Sequence, residues 1–339
     1  MSSPSTFFDL ILPEYMKGIS DAVIQDNELF AALNEKGRIK YGGGGNGYEF
    51  RVRTGTANIG GAATDWDTGS PRTINPYKTC VARYRPYIWR LLMNTMQQDR
   101  AEGAPSASVI AEPEKEDLNV IQQEATQRLG VHMYGDGSTL STGDVTGATP
   151  MAGLEYIILA SGTYFGLARA TYTALNSQLV TCANPSQWDN GLINNLVRDT
   201  DQCYVQCTGG TSPDNGSISK DLAQAKDEPD LIITTQTLFQ VWRQSFFPQN
   251  QYTGGTANPV KALQYGNAKV TYDTFCTANR LYVLNSKHLQ VKVVKNQLVR
   301  VLPKRQLLSP LADAYPIVAQ AQMHSKDPRK LGKVTTTGT

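Results

Sequence analysis

The sequence predicts an α+β fold, and three observations carry that reading. Short apolar or alternating runs interleave with helical patterns through the second half of the chain. Residues 113–133 hold an unbroken apolar stripe at helical spacing. Two strand-like arms, residues 48–54 and 79–85, flank a stretch with no periodicity of its own.

The elements follow in chain order. Residues 14–34 place Tyr15, Ile19, Val23, Phe30 and Leu33 near helical spacing, and Gly37 stops the pattern. The next stretch, YGGGGNGYEF, contains Gly42-x-Gly44-x-x-Gly47, the spacing of a dinucleotide-binding turn. That turn works only between a strand and a helix, whose N-terminus holds the pyrophosphate. Here Tyr48 to Arg53 alternates at a period of two, so a strand follows and nucleotide binding is not expected. No Lys-Ser or Lys-Thr follows the glycines, which excludes a phosphate loop as well. The glycines read instead as a joint at the base of something that changes angle.

Beyond the first arm, GTANIGGAATDWDTGSPRTINP spans residues 55–76 and carries one large aromatic, Trp66. A patternless connection of that length inside a domain points to a functional segment. The two arms with their connection form a long hairpin whose hydrophobic face is too small to stand alone, so it needs a surface to lie on. Residues 87–93 are apolar, and the helix over 113–133 opens with Pro113, Glu114, Glu116 and Asp117 and ends at Gly130 or Gly135. Residues 135–150 are turn chemistry, 153–167 a strand or short buried element, and 188–207 helical in pattern. PDLIITT at 229–235 reads as a buried strand followed by a helix at 237–246. Four short strands, 267–273, 280–285, 289–296 and 298–303, complete a central sheet in the second half.

Composition narrows the function. The chain of 339 residues is long enough for two domains with cores of their own. Thirty-two basic against 30 acidic residues leave a net charge of +2 with no basic block, which argues against a protein that grips nucleic acid through phosphate neutralisation. The apolar run Phe7 to Leu12 is interrupted by Asp9 and stopped by Pro13, so it is not a secretory signal. No stretch approaches the ~20 apolar residues of a membrane span. Five cysteines without a signal peptide read as reduced thiols in a soluble intracellular protein.

The search for chemistry returns little. His132, His288 and His324 show no ligand spacing, and Cys203 and Cys207 lack a second ligand pair, so no metal site, cofactor site or catalytic residue is expected. No Gly-x-Ser-x-Gly elbow occurs. The triplet Asp65-Trp66-Asp67 sits on a loop of small residues and suits an exposed anchor for a neighbouring subunit better than an acid pair.

The order of parts resembles the tailed-bacteriophage major capsid proteins of the Hong Kong 97-like fold, over nearly the whole chain. The resemblance rests on the glycine-based hairpin, the helix at 113–133, PDLIITTQTLFQVWRQ, the run VKALQYGNAKVTYDTFCTANRLYVLNSKHLQ at 260–290, and the closing PLADAYPIVAQAQMHSKDPRKLGKVT at 310–335. It implies an N-terminal arm over 1–40, an extended loop over 41–90, a peripheral domain over 91–175 with 305–339 that includes the spine helix, and an axial domain over 176–304. It also implies a non-enzymatic function: self-assembly through pentamers and hexamers into an icosahedral shell around double-stranded DNA, with maturation from a procapsid. The extended loop would lie across a neighbouring copy through Arg51, Arg53, Asp65, Trp66, Asp67, Lys78, Arg83 and Arg85. Gly42, Gly43, Gly44, Gly45 and Gly47 would be its hinge. Expected partners are further copies of the chain, a separate scaffolding protein, a portal, a decoration protein, and DNA packaged without sequence-specific binding; no membrane is involved. The expected location is the virion, after assembly in the bacterial host cytoplasm. Lys78 and the asparagines do not by themselves make a covalent crosslink. An encapsulin-type nanocompartment shell is the rival within the fold, and a soluble α+β enzyme or a tail protein the rival outside it.

Overall fold

The computed structural model describes residues 17–42, 45–54, 77–94, 108–138, 140, 144, 148–189, 193–208, 227–250, 263–294, 298–302, 305–307 and 312–337. They divide into two compact units, one of residues up to Asn46, 83–152 and 291–323, the other of 47–82, 153–290 and 324–339.

In the first unit, helix α1 runs through residues 17–26 and α2 through Glu28–Glu35. The single helix expected over 14–34 is thus two. Asn27 separates them in an extended conformation, and its side-chain amide donates back to the Val23 carbonyl at 2.7 Å, ending α1 before α2 begins. The sheet of this unit has the order β1 (Ile39–Tyr41), β14 (Leu289–Val293), β17 (Ala312–Ser325), β15 (Val299–Val301), and β17 also pairs with β16 (Arg305–Leu307) and β4 (Arg85–Asn94). Against it lies α3, Ser108–Tyr134, about 40 Å long. This helix begins earlier than its sequence signals, so that Pro113 is its sixth residue and the acidic cluster sits inside it rather than in its first turn. It also passes through Gly130 and stops before Gly135. Ile121, Ala125, Leu129 and Met133 are its buried stripe.

The second unit is built on a sheet of order β11 (Leu263–Tyr265), β12 (Ala268–Tyr272), β10 (Leu231–Thr234), β13 (Arg280–Leu284), β18 (Gly332–Thr337), β7 (Gln178–Ala183). Helices α5 (Asn195–Thr208) and α6 (Gln236–Asn250) pack into a core with it around the fully buried Trp242. The segment at 153–167 is a one-turn helix, α4 (Leu154–Ile157), and the first of two short strands, β5 (Thr163–Tyr164) and β6 (Leu167–Ala168). The stretch expected to be helical from 188 opens instead with a small hairpin, β8 (Trp188–Asp189) and β9 (Ile193–Asn194).

Two differences from the sequence reading are topological. The four strands of the second half do not form one sheet: β12 and β13 belong to the second unit, β14 and β15 to the first. The closing segment likewise divides, β17 entering the first sheet and β18 the second, between β13 and β7. Apolar alternation marks these residues as strands but carries no address for their partners.

Among the described residues no helix is long and apolar enough to cross a membrane, and no group of three metal-ligating side chains converges.

Candidate assembly surface

The hairpin expected from the sequence is present as a two-stranded ribbon of β2 (Gly47–Arg53) and β3 (Tyr77–Arg83). The connection at 55–76, with Asp65, Trp66 and Asp67, lies outside the described residues, as do Gly43 and Gly44. Gly42 and Gly45 have φ of 113° and 96°, conformations closed to residues with a Cβ, so the main chain between β1 and β2 needs glycine at both.

One face of the ribbon base is buried and the other open. Phe50, Val52, Cys80 and Ala82 point inward, while Glu49, Arg51, Tyr77, Thr79, Val81 and Arg83 are exposed, Val81 by 58%. The surface that the ribbon needs is supplied here by its own chain. The Phe50 ring meets Phe165 edge-on at 5.4 Å and His324 at 4.3 Å. Tyr48 Oη lies 2.8 Å from His324 Nδ1. Tyr164 fixes the far side, its hydroxyl donating to the Ser325 carbonyl and accepting from the Ser325 amide, both at 2.7 Å. Phe165 is held at a positive φ of 42° by its amide bond to Tyr156 Oη at 2.8 Å. The Arg53 amide donates to the Lys326 carbonyl at 3.1 Å. Burial pushes the Cys80 thiol up to about 11, so it is an inert packing group at neutral pH.

Arg51, Arg53, Lys78 and Arg83 all lie on the ribbon strands, Arg51, Arg53 and Arg83 in register with its open face and Lys78 on the face of Cys80 and Ala82, where it is exposed at the strand start. Arg85 does not: it is the first residue of β4, paired with Ala321, and its guanidinium donates to Thr149 Oγ1 at 2.9 Å.

Three polar networks escaped the sequence reading. Arg169 is fully buried and donates to the carbonyls of Tyr156, Ile157, Leu159 and Leu175, with its guanidinium 5.1 Å from the Tyr164 ring centre. It pins the turns that present Tyr164 and Phe165. In the first unit His132 Nδ1 faces Tyr87 Oη at 3.0 Å and Nε2 faces Asp144 at 3.2 Å, while Arg128 holds the other Asp144 oxygen at 3.2 Å. Burial lowers the His132 pKa, opposed by Asp144 and reinforced by Arg128. In the second unit Asp227 accepts from His288 at 3.0 Å and from Lys287 at 3.3 Å. Burial alone would raise this carboxyl, but His288, Lys330 and Lys287 hold it below its ordinary range. Sequence spacing holds no signal for any of these, because the partners come from aperiodic turns near Arg169 and, for His132 and Asp227, also from distant segments.

No family model matches the chain, and no curated protein matches it either. Solved structures do. The capsid asymmetric unit of cyanophage A-1(L) superposes with a TM-score of 0.58 at 16% identity, over 88% of this chain and 90% of that one. A structure from Mycobacterium phage Bobi gives 0.52 at 10% identity, covering 91% of each chain. The capsid of a native GTA particle gives 0.53 at 8% identity, over 91% of this chain and 90% of that one. This chain has the tailed-phage capsid fold. At such low identity what is shared is the path of the main chain, which assigns no role to single elements or side chains.

Proposed function

We propose that this chain is a major capsid protein that assembles through pentamers and hexamers into an icosahedral shell around double-stranded DNA. One observation carries the reading: the likeness to capsid structures covers 88–91% of this chain and 90–91% of each of theirs. A function resting on one site could be lost from such a fold, whereas shell building is a property of the whole outline.

The ribbon is proposed to lie on a neighbouring copy by its open face, with Arg51, Arg53 and Arg83 contacting that copy, Lys78 reaching it from the exposed start of β3, and Trp66, between Asp65 and Asp67, as the anchor. The left-handed glycines Gly42 and Gly45 support a change of chain direction at the ribbon base, with Gly43, Gly44 and Gly47 completing the hinge. The buried inner face adds a condition: any swing carries the aromatic seat around Phe50 with it. Arg85 serves within this reading as a strap on the loop before Met151 rather than as a ribbon contact. The closed shell draws its strength from many weak contacts summed over a symmetric assembly. A net charge of +2 suits enclosing DNA without gripping it. A separate scaffolding protein, a portal and a decoration protein are the expected partners, assembly in the host cytoplasm the expected route, and the virion the destination. The role is structural, with no catalysis.

Electron microscopy of the chain expressed alone and with its genomic neighbours tests the function. Closed shells, or rings of five and six that close with a scaffold, are expected. A monomer under every condition would sink the reading.

A further inference from the structure

A strained turn of the second unit meets the base of the ribbon. Among the described residues the non-glycine positions with positive φ are Asn184, Asn279 and Phe165. Asparagine tolerates that region, but a bulky aromatic enters it only against steric resistance. Phe165 and Gly166, with φ of 42° and 89°, form the two-residue connection between β5 and β6, in which Tyr164 pairs with Leu167. A connection with both φ positive is the one for which Asn-Gly is the preferred sequence, so phenylalanine here is a local cost. The surroundings hold it in place: Tyr156 Oη accepts from the Phe165 amide, and Arg169 grips the carbonyls of Tyr156 and Ile157. What the left-handed main chain achieves is the aim of the ring. Phe165 meets Phe50 of the ribbon edge-on, at 5.4 Å and 89°, while Tyr156 and Tyr164 meet the same ring at 5.2 Å and 4.9 Å.

We propose that Phe165 is a clamp on the ribbon base: the strained turn aims its ring at Phe50, and that contact sets how often the base lifts from the rest of the second unit. The ribbon needs such a clamp because β2 and β3 form a sheet of their own that joins neither six-stranded sheet. Side chains therefore carry its attachment, together with the main-chain bond from Arg53 to Lys326. Phe50 is the bulkiest group on the inner face and is 6% exposed, so lifting the base must first part it from Phe165. Phe165 is half-buried, unlike the side chains packed around Trp242, and its loss is felt at the ribbon before it is felt in the sheet. The cost of the turn is returned only while the ring has something to press on, which couples the strain to the docked ribbon. The clamp works within one copy, so the inference does not rest on shell building.

Cysteine reactivity on unassembled full-length protein tells the two openings apart. Cys80 lies on the inner face of the ribbon and Cys203 in the core beside α5, both buried, so each reacts with an aromatic disulfide reagent only when its own region opens. The chain is labelled and digested, and the two sites are followed by mass spectrometry. Phe165→Asn suits the left-handed turn but removes the ring, and should raise the ratio of the Cys80 rate to the Cys203 rate about tenfold. Phe165→Gly, free of strain at the same φ, should do likewise. In Phe50→Leu the clamp has lost the ring it presses on, so adding Phe165→Asn should move the ratio by less than about threefold. An unchanged ratio in both single variants, with or without faster reaction at both sites, assigns Phe165 to packing alone and overturns the proposal. Loss of folding in both overturns it as well, since the side chain would then belong to the core. A full tenfold effect of Phe165→Asn in the Phe50→Leu chain overturns it too, because Phe50 would not be what the clamp holds.

Discussion

At the scale of single residues the structure rests on two positions that composition does not single out. A Cβ on Gly332 would stand 2.4 Å from Cys203 Sγ and 2.8 Å from Cys207 Sγ, so glycine is what lets α5 approach the start of β18. Gly332→Ala should cost about 1–3 kcal/mol through overpacking, read as a lower urea midpoint at unchanged slope. Cys203→Ala in the same chain should return part of that loss, because the two sites touch and their effects are coupled. Arg169 makes the complementary case. Replacing it with Met leaves four buried carbonyls without their donor, and a loss of about 3–5 kcal/mol is expected in the same denaturation experiment. Arg169→Lys should recover only a small part, since a single ammonium cannot reproduce the forked donors. The sequence reading put Cys203 and Cys207 four apart in a helical pattern, and both are fully buried on α5, because that is local geometry. It passed over Arg169, whose acceptors come from turns that no periodicity reveals.

At the scale of elements, the loop after α3 is tied down by a buried histidine whose neutral form is favoured by burial. Tyr87 Oη accepts the Met151 amide at 3.0 Å; with His132 neutral and Nε2–H directed at Asp144, the Tyr87 hydroxyl donates to Nδ1. A proton on Nδ1 removes that acceptor, in line with a folded pKa below the ordinary 6.5. The sign follows from linkage. Above pH 6.5 the group adds no pH dependence; as pH falls below it the unfolded chain takes the proton first, and stability declines until the folded pKa is passed. Urea midpoints at pH 7.5 and 5.5 should therefore fall further in the parent chain than in His132→Gln; equal declines would show that His132 does not contribute. The helix itself was legible from its stripe of Ile121, Ala125 and Leu129, which is local. Its start was not, since Pro113 and the acids after it carry the composition of a first turn. The histidine's role was hidden because Tyr87 and Asp144 meet it only after folding.

At the scale of the whole molecule, what the sequence showed was order: arm, glycines, hairpin, long helix, strands with helices. What it could not show was which sheet each strand joins, because short, mostly buried strands occur in both sheets, β14 in one and β13 in the other, each with four of its five residues buried, and nothing in their composition names a partner. The hairpin was recognised as incomplete, and the structure divides that incompleteness in two. Its inner face is satisfied within the chain by Phe165, Tyr164 and His324, whereas the outer face keeps Val81 and Tyr77 open among arginines. Under the proposed function, that face is the one that packs between copies, which would account for two large apolar side chains left exposed on a narrow ribbon. The two faces should then separate cleanly under mutation. Val81→Asp combined with Arg51→Glu changes only exposed groups, so the urea midpoint of the unassembled chain should move by no more than about 0.5 kcal/mol equivalent. Shells should disappear from electron micrographs of the same preparation. Phe50→Ala should do the reverse at the level of the monomer, costing about 3–5 kcal/mol by emptying the aromatic seat. If the outer-face variant assembled as well as the parent chain, the ribbon's open side would not be the contact between copies, and the search for that contact would move to other surfaces of the two units.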